Sequence, residues 1–167
     1  ADNIIPHEKR PGDKPFTKYF LGSCDAFITM SEKVMSDLRS IEKSKPAQLV
    51  AHPLYDNFGA AIAKDVAREK LGIDKKDKVI LFFGFIRKYK GLDILLEAMA
   101  DARIKEAGIK LLVAGEFYED EKVYQEQIDR LGIRSQLIMR TQFIPDSEVV
   151  QYFCAADVVI QPYRNAT

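Results

Sequence analysis

Arg87, Lys88 and Lys90 stand within four positions of one another, after Gly84 and just before Gly91. A guanidinium offers a bidentate fork to phosphate oxygens, and an ammonium beside it acts as a mobile point charge. Gly84 permits an unusual backbone angle or the close approach of a ligand, and Gly91 lets backbone N–H groups face a phosphate with no Cβ in the way. Charge-assisted hydrogen bonds contribute about 1.5–3 kcal/mol each, so two such cations and a helix end would hold a diphosphate weakly without a metal. A basic loop standing alone is more often solvated surface, and the residues themselves leave that alternative open.

Other chemistry-bearing residues are sparser. Glu116 directly follows Gly115 in an acidic stretch with Glu119, Asp120 and Glu121, most of which read as solvated. Tyr163 and Arg164 lie near the last residue. His7 and His52 read as polar loop residues, and His7-Glu8 is too sparse for zinc, which takes three or four ligands. The chain carries no GxGxxG, no GxxxxGK[ST] and no nucleophile elbow.

These residues need elements to hold them. The apolar run Val79 to Phe83 stops at Gly84, and the basic loop leads through Gly91 into a helical pattern. Such a helix start exposes unpaired N–H groups and the positive end of the macrodipole. From residue 78 onward strands are predicted at Lys78–Phe83, Lys110–Ala114, Gln136–Arg140 and Val158–Ile160. The helices between them place Leu92, Leu95, Leu96 and Met99 on one stripe, then Tyr124, Ile128 and Leu131 before a cap at Gly132. A third opens at Pro145-Asp146-Ser147 and offers Val149, Val150 and Phe153. Alternation of this kind implies an α/β fold with parallel strands and right-handed crossovers.

Ligands of open doubly wound sheets sit outside the C-terminal ends of the strands, where the chain order switches direction. If the fourth strand returns to the far side of the first, residues 84–91 form one wall of a crevice and residues 161–167 the other. The first third reads differently. Short strands at Asp25–Met30 and Gln48–Ala51 flank a helix capped by Ser31 that carries Val34, Leu38 and Ile41. A loop at residues 52–59 leads to a helix from about Ala60 to Leu71, closed by Gly72. Residues 1–14, with Pro6, Pro11 and Gly12, read as loop.

Composition narrows the class. Hydrophobic residues are 47% and charged residues 30%, the profile of a soluble globular protein. Lys+Arg and Asp+Glu are both 25, so no global field draws nucleic acid or anionic lipid, and any anion affinity is local. No apolar run approaches the ~18 residues of a membrane span. The N-terminus lacks signal-peptide form, and Cys24 and Cys154 read as thiols of a reducing compartment. The chain reads as cytoplasmic.

The residues Ala67-Arg68-Glu69-Lys70-Leu71-Gly72-Ile73, Leu81 to Gly84 and Lys90 to Ala98 resemble the retaining glycosyltransferases called group 1 or family 4. So do Leu112 to Glu116 and Ala155 to Pro162. The resemblance implies a GT-B fold, two Rossmann-like domains facing across a cleft. Residues 1–58 would be the tail of the acceptor-binding N-terminal domain with the linker. Residues 59–167 would be the first half of the C-terminal domain that binds a nucleotide sugar. It implies transfer of a hexose from a nucleoside diphosphate sugar with retention, independent of metal or other cofactor, onto a glycan, lipid or small-molecule acceptor. It assigns the donor diphosphate to Lys90 and to an Arg that commonly follows the glycine directly; Phe85 stands there, so Arg87 would supply that charge. It sets Phe143 and Ile144 near the base, while Gly84, Gly91, Glu116 and Tyr163 line the predicted crevice by their own positions. The family's acidic residues would come after Thr167, and a fragment of this extent would be inactive alone. The base, sugar, acceptor and oligomeric state are not specified. Two rival readings are a non-catalytic α/β binding module using the same crevice, and another GT-B enzyme such as a phosphorylase or a sugar epimerase.

Overall fold

The computed structural model describes residues 3–5 and 11–164. His7 and Glu8, and the last three residues of the proposed second wall, lie outside them. Contacts divide the chain after Tyr55, with Asp56–Arg164 forming the larger unit.

In the smaller unit, α1 (Asp13–Gly22), β1 (Phe27–Thr29), α2 (Glu32–Ile41) and β2 (Ala47–Leu49) follow in order. The strands pair in parallel, Phe27 with Ala47 through Thr29 with Leu49. Ser31 caps α2 as expected, its hydroxyl accepting from the Val34 N–H at 3.2 Å. Leu21, Phe27, Val34 and Leu38 form the core with Ile4, whereas Ile41 lies outside it. The loop reading of residues 1–14 fails at its end, because α1 begins at Asp13. Pro15 falls in its first turn, where no intrahelical N–H partner is needed.

The larger unit is a four-stranded parallel sheet between helices. Its strands are β3 (Lys78–Phe83), β4 (Ile109–Ala114), β5 (Leu137–Arg140) and β6 (Val158–Val159), in the order β5-β4-β3-β6. This is the order that the two-walled crevice requires. Past Lys78 and Lys110 at their starts, β3 and β4 are apolar because both faces are covered. Phe82, Leu111 and Val113 face the helices α4 (Leu92–Met99) and α6 (Glu121–Leu131), in one cluster with Leu96 and Ile128. Val79, Leu81, Leu112 and Ala114 face α3 (Lys64–Leu71) and α7 (Asp146–Ala155), in a second cluster with Ala67, Tyr152 and Ala155. A short helix, α5 (Ala102–Glu106), leads into β4.

Three expectations need correction. The helix before β3 begins at Lys64 rather than Ala60, since Ala63 at its cap has extended ψ and Ile62 packs on the second cluster. α7 buries Val149, Tyr152 and Ala155 rather than Phe153, whose ring lies 4.9 Å from that of Phe83 and stays 42% exposed. Pro145, not a side-chain cap from Asp146 or Ser147, stands at its N-terminus. Gly72 and Gly132 close α3 and α6 in the left-handed conformation as expected. Cys24 and Cys154 are free thiols, both partly buried.

Candidate functional site

The site is built where β3 and β4 end. Gly84 (φ +107°) and Gly115 (φ +132°) continue the ladder by one residue, Gly84 N–H donating to the Ala114 carbonyl and Gly115 N–H to that of Arg140, both at 2.9 Å. A Cβ on Gly115 would stand 2.3 Å from the Gly84 carbonyl oxygen, so the two backbones touch because Gly115 has no side chain. Beyond them the loops zip together. Ile86 N–H donates to Glu116 O at 2.8 Å, Tyr118 N–H donates to Ile86 O at 3.1 Å, and Ile86 is fully buried.

Lys90 ends a short 3₁₀ turn and folds back over β3. Its Nζ would lie 3.0 Å from a Cβ placed on Gly84, so the amine occupies the space that the glycine leaves. Burial pulls the Lys90 amine below its ordinary value, and the charge on Arg87 pulls it further. The Arg87 guanidinium carbon stands 4.5 Å from the centre of the Tyr118 ring. Other cations below the surface of this unit have partners: Arg68 pairs with Asp157, Lys110 pairs with Asp77, and Arg140 donates to the Leu71 and Met139 carbonyls. Arg87 and Lys90, also partly buried, meet no carboxylate or carbonyl acceptor among the described residues. Two neighbouring, partly shielded cations repel one another and lose some of their hydration. An anionic ligand offsets both.

The second wall closes on this loop. Arg164 N–H donates to Tyr89 O at 2.8 Å, its Nε donates to Lys88 O at 3.2 Å, and its guanidinium pairs with Asp93. Tyr163 meets Tyr89 edge-on with centroids 6.0 Å apart, and Lys90 Nζ lies 5.8 Å from the Tyr163 ring. Burial raises the Tyr163 hydroxyl above its usual value, with Tyr89 adding to the effect.

Gly91 has a role different from the one expected. Its N–H donates to Lys88 O at 3.2 Å, not outward to an anion. A Cβ there would sit 2.1 Å from the Pro162 carbonyl oxygen, so the glycine (φ +76°) lets the second wall lie against the loop. Phe143 is 65% exposed beyond β5, whereas Ile144 is partly buried against the second core cluster. Glu116 is partly buried, and its carboxylate makes no hydrogen bond or ion pair among the described residues. The structure thus brings Gly84 and Tyr163 to the Lys90 amine, with Arg87 near enough for its charge to act on that amine and Glu116 on the loop zipped beside them.

Glu119, read from sequence as solvated, is a fastener. One carboxylate oxygen accepts from the Lys88 N–H at 2.8 Å and the other from the Tyr124 hydroxyl at 3.1 Å. Burial, then Glu119, raises that hydroxyl well above its usual value. Asp120, beside it, caps α6 by accepting from the Lys122 N–H at 2.9 Å. No sequence signal separates these two from the other acids of the loop. Among the described residues no group of three or more His, Cys, Asp or Glu side chains could hold a metal ion.

The family described as Glycosyl transferases group 1 matches residues 63–166. This chain belongs to that family. The group 1 chain is 36% identical over 106 residues to the D-inositol 3-phosphate glycosyltransferase of Segniliparus rotundus, covering 61% of this chain and 23% of that protein. It is 34% identical over 154 residues to the protein of the same name from Corynebacterium urealyticum, covering 86% of this chain and 36% of that one. It therefore spans about a third or less of the length of these relatives. Among solved structures, HepE of Anabaena in complex with UDP and glucose overlays 97% of this chain and 44% of its own, with a TM-score of 0.77 at 18% identity. WaaG, a glycosyltransferase of lipopolysaccharide biosynthesis, overlays 82% of this chain and 38% of its own, with a TM-score of 0.69 at 20% identity. At these identities the overlays establish the GT-B type of fold.

Proposed function

We propose that residues 59–167 are the first half of a nucleotide-sugar-binding domain, and that residues 1–58 are the tail of an acceptor-binding domain with the linker. The intact protein then transfers a hexose from a nucleoside diphosphate sugar to an acceptor with retained configuration. The observation that carries this reading is the pair of partly buried cations, Arg87 and Lys90, which meet no counter-ion among the described residues where β3 ends.

When the bond from sugar to diphosphate breaks, negative charge grows on the departing oxygens. Donors already fixed there stabilise that charge more than the ground state, which is electrostatic catalysis. The Lys90 amine beside Gly84 and the Arg87 guanidinium over Tyr118 support this reading. HepE was solved with UDP and glucose, so uridine diphosphate sugars are the first donors to try. The relatives named for D-inositol 3-phosphate make a phosphorylated polyol a first acceptor. Among the described residues no helix is long and apolar enough to cross a membrane, and the proposal places the reaction in the cytoplasm.

The test is Lys90→Ala in the intact protein, assayed for sugar transfer. A fall in kcat of ~10²–10³ is expected, the usual scale for losing one such donor. Activity within threefold of wild type, with the variant folded, would remove Lys90 from the mechanism.

A further inference from the structure

Phe85, Ile86 and Arg87 form a short extended run after β3, joined to residues 116–118 by a parallel bridge between Ile86 and Phe117. Successive side chains of an extended segment point to opposite faces. Ile86 turns inward and is fully buried, so Phe85 and Arg87 share the outer face. Tyr118 meets both of them. Its ring centre lies 4.5 Å from that of Phe85, at 59°, and 4.5 Å from the Arg87 guanidinium carbon. Tyr118 is 57% exposed and Phe85 44%, so both rings reach solvent beside the charged loop.

We propose that Tyr118, steadied by Phe85, is the positioning residue that holds the Arg87 guanidinium flat and aims its N–H edge at the donor diphosphate. A guanidinium stacked on a ring keeps its in-plane donors free, because the attraction comes through the face and the hydrogen bonds leave from the edge. The same stack restricts a long side chain that would otherwise sample many rotamers and lose more freedom on binding. Phe85 occupies the position next to Gly84 where a first cation would be expected, and the bracket lets a cation two residues later serve the same ligand. This inference rests on the proposed diphosphate site. It adds a residue that touches the ligand only through another.

The experiment is a calorimetric titration of the intact protein with UDP, then GDP and ADP, at low ionic strength so that weakened variants still bind. Folding of each variant is checked by circular dichroism. Tyr118→Leu is expected to weaken binding about two- to fivefold, the scale of a partly exposed cation–π contact. Tyr118→Phe keeps the ring and should stay near wild type. In an Arg87→Ala background Tyr118→Leu should have no further effect, because the residue acts only through that guanidinium. An equal loss in that background, or an equal loss in Tyr118→Phe, overturns the positioning role. Lys90→Ala distinguishes the two levels. If it binds diphosphate as wild type does, or if no nucleotide binds the wild type, the site itself is misplaced and the proposal falls with it. If it weakens binding while Tyr118→Leu does not, only the role of Tyr118 is lost.

Discussion

Gly84 and Gly91 bracket the same loop, yet they do different work, and the difference predicts different phenotypes. A Cβ on Gly84 would meet only the mobile end of Lys90, whereas one on Gly91 would stand 2.1 Å from the backbone oxygen of Pro162. Gly91→Ala is therefore expected to lose at least about 2 kcal/mol of stability, from the left-handed backbone and from the forced retreat of the second wall. Urea unfolding of the two proteins measures this. A loss under about 0.5 kcal/mol would mean that residues 161–164 can shift away freely. Gly84→Ala also strains a backbone at φ +107°, but its Cβ meets only the Lys90 amine, so it should in addition act on diphosphate affinity. Sequence pointed to both glycines because glycine beside cations suggests close approach, but it could not say what approaches. For Gly84 it is a side chain, and for Gly91 a neighbouring backbone.

At the scale of elements, one carboxylate ties the second core layer together. Asp157, entering β6, accepts from Lys64 Nζ at 2.7 Å, Arg68 at 2.9 Å and the Val79 N–H at 2.8 Å. Arg68 is buried and also donates to the Ala155 and Lys75 carbonyls, so α3, α7, β3 and β6 meet through these two residues. The Lys64 ammonium, then the Val79 N–H, holds the Asp157 carboxyl below its usual range. A depressed carboxyl contributes stability above its unfolded value near 3.9, and that contribution is lost as pH falls through the lower folded value. Asp157→Asn is expected to destabilise the protein by about 1–2 kcal/mol at pH 7, with solvent screening of the half-exposed carboxylate keeping the effect modest. The difference from wild type should shrink below about pH 4. Urea midpoints at pH 7 and pH 3 decide it, and a difference that stays constant with pH would show that the charge is not what matters. The strands were legible because a parallel strand covered on both faces must be apolar at every position, as Val79 to Phe83 are. α1 was not, since only Leu21 of its ten residues is buried and Pro15 reads as a breaker.

At the scale of the molecule, Asp56–Arg164 encloses two core clusters with a sheet between them, whereas the unit before it has one small cluster and a two-stranded sheet. Two strands with one such cluster are marginal in water, while a unit of about a hundred residues with a covered sheet can stand alone. Residues 56–164 expressed alone are expected to unfold cooperatively with a dispersed NMR spectrum, and residues 1–55 alone to remain largely unfolded. A molten spectrum from the longer piece would show that its core needs more of the chain. The α/β class, the strand positions and the basic loop could be read directly from residues 78–160, because periodicity and turn chemistry are local properties of the chain. The family pattern likewise lay in short runs such as Lys90 to Ala98. What required the folded chain was every relation between segments: that Tyr118 from one loop carries Arg87 from another, that Glu119 fastens Lys88, and that Arg164 pairs with Asp93. Those pairings depend on strand order and crossover geometry, which bring together residues thirty to seventy positions apart. No pattern of residue types along the chain encodes that distance.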